Sequence, residues 1–335
     1  MTSPRLKSVF FGTPHFALSS LQAAFDHTNL IAVVTQPDKP RGRGQQLSPC
    51  EVKDEALKKN LPVFSPVSLR KDSPELQILK ELLAREKPDL FVVTAYGNIL
   101  PESFLAIPKL GSINVHASLL PKWRGAAPIQ RSIEAGDSET GVCLQKMVME
   151  LDAGDVLAEM KMPLDIQVNS GELFSLLAAE GGKLLAHYLQ NFDAQIGLRG
   201  QAQNPTEITF AKKITKEEGL WSPEWTATEA HNRVRAFNPW PTVRAGIEGG
   251  PEFKILRTRL QKDLKSEAGF ISFQNSVVTL GCDSLRTGEP GALVLETIQV
   301  PGKGPVAAAD YFRNYFSKLP SGAGQSRVRA VKIQQ

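Results

Sequence analysis

Asn114 and His116 stand two residues apart in the run Ile113-Asn114-Val115-His116-Ala117. If this run is extended, both side chains point to one face, because side chains alternate along a strand. An amide and a protonated imidazole are both hydrogen-bond donors, and donors aimed at a developing negative oxygen stabilise the tetrahedral intermediate of acyl transfer. An acid is available in the turn Glu150-Leu151-Asp152-Ala153-Gly154-Asp155. A carboxylate beside an imidazole favours its charged form and can hold a water that relays a proton. If that turn folds back beside the strand end, Asn114, His116 and Asp152 make a site for moving an acyl or formyl group to an amine without a covalent intermediate. Spacing alone leaves blander readings open: a His on a strand is commonly structural, and Asp152 and Asp155 are in the place of local backbone caps.

Several elements must position these residues. Ser8 to Phe11 reads as a first strand ending in Gly12-Thr13-Pro14, Phe16 to Phe25 as a helix, and Leu30 to Thr35 as a buried second strand. Helices near Val52 to Lys59 and Pro74 to Glu86 alternate with strands at Pro62 to Phe64 and Leu90 to Thr94, the order of a parallel sheet. Ligands bind at the carboxyl edge of such sheets. The site stretch Gly111 to Pro128 ends a strand and opens a helix at Pro128, so it belongs on that edge. The loop Ala95 to Pro101 falls on the same edge and is a candidate pocket wall. Gly141 to Met149 and Val156 to Met162 read as a hairpin across the acidic turn, and a helix runs from Ser170 to Gln190 without an acid three residues beyond Ser170 to complete a capping box. Gln36 to Gln46 is a polar, cationic loop, read either as an excursion or as a basic arm carrying Lys39, Arg41 and Arg43.

The chain then changes character. Residues 191–207 are read as a linker between a domain at 1–190 and another at 208–330. In the second, a helix at Ala227 to Arg235 is followed by short apolar segments (Phe253 to Leu256, Phe270 to Phe273, Val277 to Leu280, Leu293 to Val300) at the spacing of a small antiparallel β domain or barrel. The tail Ser321 to Gln335 reads as partly disordered.

Composition narrows the classes. With 335 residues, 41% of them hydrophobic, the chain can bury a normal core. It contains no apolar run of about 18 residues, and its amino terminus lacks a secretory h-region, so a cytoplasmic protein without a membrane partner is expected. Cys50, Cys143 and Cys282 form no C-x-x-C pair and are expected to be reduced and structural. Residues 1–204 hold 21 Lys+Arg against 22 Asp+Glu, and residues 205–335 hold 18 against 13, so the basic excess of the carboxyl part suits a polyanionic partner. Three other chemistries fit less well. Ser118 lacks a G-x-S-x-G elbow, Phe11-Gly12-Thr13-Pro14 is not G-x-G-x-x-G, and zinc would need more ligands than His116, Asp152 and Asp155.

Asn114-x-His116 followed by Ser118-Leu119-Leu120-Pro121 and Leu151-Asp152-Ala153-Gly154-Asp155 resembles the folate-dependent formyltransferase family. The resemblance runs nearly end to end. It includes Phe11-Gly12-Thr13-Pro14, Thr35-Gln36-Pro37-Asp38, Gly42-Arg43-Gly44, Ala95-Tyr96-Gly97, Lys122-Trp123-Arg124-Gly125 and, near the carboxyl end, Arg235-Ala236-Phe237-Asn238-Pro239-Trp240-Pro241; the basic loop and the last segment resemble the branch that acts on tRNA. The resemblance implies a Rossmann-like formyltransferase domain with a mostly parallel sheet, followed by a smaller OB-like β-barrel. It implies 10-formyltetrahydrofolate as formyl donor, methionyl initiator tRNA as acceptor in translation initiation, no metal and no obligate protein partner. Asn114, His116 and Asp152 match the family's catalytic positions. Ser118, Leu119, Leu120 and Pro121 match its folate signature, with Tyr96, Gly97, Asn98 and Ile99 on the folate side as well. Lys39, Arg41 and Arg43 match the loop that reaches the acceptor stem, with Arg43 at the position of a key arginine. His15, where an acid is expected, and the short segment Glu218 to Trp221 depart from the pattern.

Residues without the resemblance would also fit a formyltransferase for a small amine, a formyl-folate hydrolase, or a noncatalytic RNA-binding protein.

Overall fold

The first strand, β1 (Lys7–Gly12), carries Val9, Phe10 and Phe11 with no exposed surface, which requires cover on both faces of its sheet. In the computed structural model, which describes residues 5–41, 46–261, 266–283, 291–319 and 327–333, that cover comes from helices on an open sheet. The chain packs as two units: Met1–Pro128 with Glu139–Met162 and Phe174–Ala211, and Ile129–Ser138 with Pro163–Leu173 and Lys212–Gln335.

In the first unit, β1 leads through a short 3-10 turn to α1 (Leu18–His27) and β2 (Asn29–Val34). A two-stranded ribbon, β3 (Lys39–Arg41) and β4 (Gln46–Ser48), precedes α2 (Glu51–Lys58), β5 (Val63–Phe64), α3 (Pro74–Glu86) and β6 (Leu90–Thr94). Then come α4 (Glu102–Leu105), β7 (Ser112–His116), β8 (Arg124–Gly125), α5 (Pro128–Ala135), which apart from Pro128 belongs to the second unit, the neighbours β9 (Glu139–Lys146) and β10 (Val156–Pro163), α6 (Ser170–Gln190), whose first turn also belongs to the second unit, and β11 (Phe210–Ala211). The main sheet has the order β10-β9-β7-β6-β1-β2-β5. Its five strands from β7 to β5 run parallel, and β9 runs antiparallel to β7. Gly12 pairs with Thr94 and Val93 with Asn114, so β1, β6 and β7 end on a common edge.

Local sequence explains where the elements start and stop. α3 begins where Ser73 Oγ accepts from the Leu76 amide, has Pro74 at its first position, and ends at Lys87 in the left-handed conformation (φ 50°). Its Leu76, Leu79 and Leu83 fall on one face and join the core of Val9, Phe11, Phe91 and Tyr96. α6 opens with a reciprocal pair one residue earlier than expected. Asn169 Oδ1 accepts from the Glu172 amide and Glu172 Oε2 from the Asn169 amide, so the box exists with asparagine as the cap. The predicted loop at 36–46 is likewise corrected: Lys39 pairs with Ser48 and Arg41 with Gln46, and Asp38 holds Lys53 of α2 at 2.9 Å.

Besides α5, the second unit contains α7 (Ala227–Ala236), started by a capping box between Thr226 and Glu229. It continues with β12 (Val243–Ile247), β13 (Glu252–Leu260), β14 (Phe270–Gln274), β15 (Val277–Gly281), β16 (Ala292–Gln299), β17 (Val306–Ala307), α8 (Ala308–Phe316) and β18 (Arg327–Val331). The order β13-β12-β18-β14-β15-β16, with β16 pairing back to β13, closes an antiparallel barrel. Of the tail read as partly disordered, residues 321–326 and 334–335 lie outside the described residues, and Arg327–Val331 supplies the stave β18, whose Ala330 is buried. α8 turns Phe312 inward against Phe253, with ring centroids 5.8 Å apart.

Among the described residues no helix is long and apolar enough to cross a membrane, and no group of three or more His, Cys, Asp or Glu side chains could hold a metal ion. The three cysteines are free and buried, and burial pushes the Cys143 and Cys282 thiols up to about 12.

α6 meets the site strand and α1 through two adjacent glycines. A Cβ at Gly181 would press on Val115 of β7 at 3.0 Å, and one at Gly182 would lie 2.8 Å from the Ser19 carbonyl carbon of α1. The atoms it would meet are the Cβ and the backbone of Ser19, none of which can rotate away. Gly182→Val is expected to destabilise the protein by about 1–3 kcal/mol, read as a lower thermal unfolding midpoint; an unchanged midpoint would mean that α1 and α6 do not cross this closely.

Candidate active site

β7 and β9 bring Asn114 opposite Gln145 in register, on the face that also carries His116. The turn between β9 and β10 folds over that face and delivers Asp152. Its Oδ1 accepts from Gln145 Nε2 at 2.8 Å and lies 3.5 Å from Asn114 Nδ2; its Oδ2 accepts from the Gly125 amide at 2.8 Å and lies 3.8 Å from His116 Nδ1. The three residues singled out from the sequence thus meet at one carboxylate. The His116 and Asp152 side chains are 7% and 10% accessible, so their mutual field is little screened by water. The other ring nitrogen, His116 Nε2, lies 3.0 Å from the Trp123 carbonyl oxygen, which can only accept, so Nε2 carries a proton.

Unusual backbone makes this approach possible. Asp152 and Trp123 adopt left-handed conformations (φ 51° and 63°), and Gly125 has φ 122°. Gly154 passes so close to β9 that a Cβ there would collide with the Lys146 carbonyl oxygen. Ser118 Oγ donates to the Lys122 carbonyl at 2.7 Å and is buried, so it closes the turn rather than facing the imidazole as a nucleophile would. In that turn Ser118 and Leu120 are buried, while Leu119 and Pro121 are half-buried.

The neighbouring loops are tied to one another. Thr13 Oγ1 donates to the Tyr96 carbonyl at 2.9 Å and accepts from the Gln36 amide at 3.2 Å. Gln36 in turn lies within 3.5 Å of Asn98 Oδ1 and accepts from Lys39 Nζ at 2.6 Å. Gly97, Asn98 and Ile99 are exposed, Ile99 by 69%. The Tyr96 ring points the other way, packing edge-on against Phe11 in the core, where burial pushes its hydroxyl above the ordinary tyrosine value. Of the basic arm, Lys39 is exposed on β3 and Arg41 ends that strand; Arg43 lies outside the described residues.

Sequence reasoning missed four groups that touch Asp152 or its turn: Gln145, the Gly125 amide, Gln203 and Arg124. For Gln145 the signal was only a polar residue after the apolar run Val142 to Leu144, and pairing in register is what sets it opposite Asn114. For Gln203 none did, because nothing local marks a contact across 51 residues.

In the second unit the Arg235-to-Pro241 segment is structural at its head. Arg235 is buried and donates to the carbonyls of Asp165 and Val168 at 3.1 and 3.2 Å and to Asn232 Oδ1 at 2.6 Å; burial pushes it down to about 10. His231 is held between Thr258 Oγ1 at 2.9 Å and the Ile166 carbonyl at 2.8 Å, and burial lowers its pKa, as befits a neutral core ring.

A Rossmann-like unit with an amide, an imidazole and a carboxylate gathered on its sheet, in a chain that also builds a closed barrel, is the frame of a transferase of one-carbon or acyl groups. A family model described as formyl transferase matches residues 6–189, and one described as formyl transferase, C-terminal domain, matches residues 213–315. The chain belongs to the formyl transferase family. It is 43% identical over 307 residues to a methionyl-tRNA formyltransferase of Stenotrophomonas maltophilia (strain K279a), covering 91% of this chain and 96% of that one. To the methionyl-tRNA formyltransferase of Pseudomonas paraeruginosa (strain DSM 24068 / PA7) it is 40% identical over 318 residues, covering 95% and 98%. Among solved structures, the sugar 3N-formyl transferase WlaRD, determined with dTDP and 5-N-formyl-THF, superposes with TM-score 0.63 at 17% identity over 90% of this chain and 100% of that one. HypX from Aquifex aeolicus in complex with tetrahydrofolic acid gives 0.54 at 15% identity over 95% and 48%. At such identities the likeness concerns the fold alone.

Gly154→Ala tests the turn. A methyl group there must push the turn off β9 and with it Asp152, and a displacement of about 1 Å costs on the order of 10²-fold in rate. Formyl transfer is expected to fall by that factor with far-UV circular dichroism unchanged; wild-type turnover would show that the turn can shift without consequence.

Proposed function

We propose that this enzyme transfers the formyl group of 10-formyltetrahydrofolate to the α-amine of methionyl initiator tRNA, for translation initiation. The observation that carries the reading is the meeting of Asn114, His116 and Asp152 at 3.5 and 3.8 Å, in a chain 40–43% identical over most of its length to methionyl-tRNA formyltransferases. When bound, the folate donor would supply a formyl carbon open to attack by the amine, with tetrahydrofolate as the leaving group once its C–N bond to that carbon breaks and its nitrogen takes up the proton that the amine gives up. Asn114 Nδ2 and the protonated imidazole of His116 donate to the oxygen on which charge develops, and Asp152 balances the imidazolium and assists loss of the amine proton through water. The exposed Ile99 side chain and the half-buried Leu119 and Pro121 offer apolar surface to the ring systems of the folate. Ser118 and Leu120 shape that wall from within, Gly97 and Asn98 contribute at its surface, and Tyr96 acts from the core rather than by contact.

For the acceptor we assign Lys39, Arg41 and Arg43 to tRNA phosphates, with the catalytic residues in the domain 1–190, the linker 191–207 following it, and tRNA binding in residues 208–330. Contacts of this kind make affinity fall with salt. The reading needs a folate donor and a charged tRNA, no metal and no further protein, and assigns the enzyme to the cytoplasm.

The purified protein with 10-formyltetrahydrofolate and methionyl initiator tRNA is expected to yield formyl-methionyl ester, with elongator tRNA formylated little. Free formate without formylated product would instead mark a hydrolase. Asn114→Ala and His116→Ala should each lower turnover by about 10²- to 10³-fold in a folded protein; normal turnover in either would refute its role. Arg43→Ala should raise the KM for tRNA and flatten its salt dependence while folate binding, followed by fluorescence quenching, is retained. A collapse of folate affinity would overturn that assignment.

A further inference from the structure

Gln203 is the half-buried residue in a segment whose neighbours, Gln201, Ala202 and Asn204 to Glu207, are exposed. Its amide reaches back to the turn that carries Asp152. The two Nε2 hydrogens go to two carbonyl oxygens, Asp152 at 2.8 Å and Gly154 at 2.7 Å, which bracket Ala153. The remaining atom, Oε1, accepts from Arg124 Nε at 3.0 Å, and Arg124 Nη1 donates to Glu150 at the start of the same turn at 3.1 Å. Every hydrogen of the Gln203 amide and one lone pair of its oxygen are therefore committed to one loop.

The segment bearing Gln203 is itself pinned on both sides. Gln201 exchanges two backbone hydrogen bonds of 2.9 Å with Val156, at the start of β10. Thr209 accepts from the amides of Trp123 and Arg124, each at 2.9 Å, and Phe210–Ala211 pairs with Arg124–Gly125. Gly125, whose amide donates to Asp152 Oδ2, thus sits on the strand that this segment pairs with. Asp152 in turn holds a left-handed backbone conformation that a non-glycine residue adopts only when its surroundings dictate it.

We infer that Gln203 is a positioning residue of the transfer reaction: through the Asp152 and Gly154 carbonyls it fixes the strained turn so that the Asp152 carboxylate faces Asn114 and His116. This rests on the reading of Asp152 as a catalytic acid–base group. It gives residues 201–211 a part in catalysis that their exposed, polar composition conceals.

Two substitutions separate this role from support of the fold. Gln203→Leu removes all three hydrogen bonds. Gln203→Glu keeps, as an ion pair, the contact with Arg124, but sets carboxylate oxygens against the two carbonyls. Each is expected to lower kcat by about 10- to 100-fold, with the KM for the formyl donor and the thermal midpoint changed little. On an Asp152→Asn background, adding Gln203→Leu should change kcat by less than about twofold, since the carboxylate it positions is gone. Wild-type kcat in Gln203→Glu would overturn the inference, because holding Arg124 would then suffice. The same factor lost on both backgrounds would also overturn it, as would a chain that fails to fold with either substitution, since Gln203 would then serve the fold alone. Asp152→Asn at wild-type turnover would sink the reading of Asp152 itself, whereas an impaired Asp152→Asn with unimpaired Gln203 variants would sink only the role of Gln203.

Discussion

A carboxylate withdrawn from water must be surrounded by donors, and the first unit is arranged around that requirement at Asp152. Its side chain is 10% accessible, and burying an ion costs several kcal/mol unless hydrogen bonds and opposite charge replace its hydration. The replacements come from separate parts of the chain: Gln145 on β9, the Gly125 amide on β8, and Asn114 and His116 on β7. None of these can be supplied locally by the turn that carries the acid. The position of the carboxylate therefore reports the alignment of β7 with β9 and of β8 with β11, and an error in either would leave a buried charge without partners.

The same requirement explains where the backbone departs from ordinary geometry. A turn that folds back over its own sheet must clear β9, and Gly154 clears it because it has no Cβ. The donor at Gly125 must present its amide rather than its side chain, and the left-handed Trp123 before it rotates the chain to do so. Strain of this kind costs of order 1–3 kcal/mol per residue and persists where the surroundings fix the conformation. Around these two turns the fixing comes from Thr209, Gln203 and the paired strands β8 and β11.

Legibility in the sequence followed the range of the interaction. β1, β2 and β6 announce themselves as apolar runs, β7 alternates polar and apolar residues, and the bounds of α3 are written in Ser73, Pro74 and the change of pattern after Glu86. Asn114 and His116 could be set on one face from their spacing, since alternation along a strand needs no tertiary knowledge. The partners that depend on distant pairing were hidden. Gln203 meets Asp152 through folding alone, β12 and β18 are short mixed segments that become staves only when the barrel closes, and the box at Asn169 used an asparagine where a serine was the more conspicuous cap. The Arg235-to-Pro241 segment carried a strong resemblance, yet its arginine is spent on backbone carbonyls inside the second unit. A motif can mark a family through its packing as readily as through its chemistry.

One consequence of the geometry concerns which nitrogen of His116 is free to act. The Trp123 carbonyl is an acceptor in every protonation state, so the hydrogen bond at 3.0 Å keeps a proton on Nε2. Any gain or loss of a proton by the ring must then occur at Nδ1, the nitrogen that faces Asp152. At 3.8 Å the two are too far apart for a hydrogen bond, so no proton is shared between them. The strained turn at Trp123 therefore does two jobs with one residue. Its left-handed backbone leads into the Gly125 amide that holds the carboxylate, while its carbonyl selects the tautomer of the imidazole that the carboxylate faces. Orientation of the acid and assignment of the ring proton are thus set together, by a turn whose own shape is set by the pairing of β8 with β11.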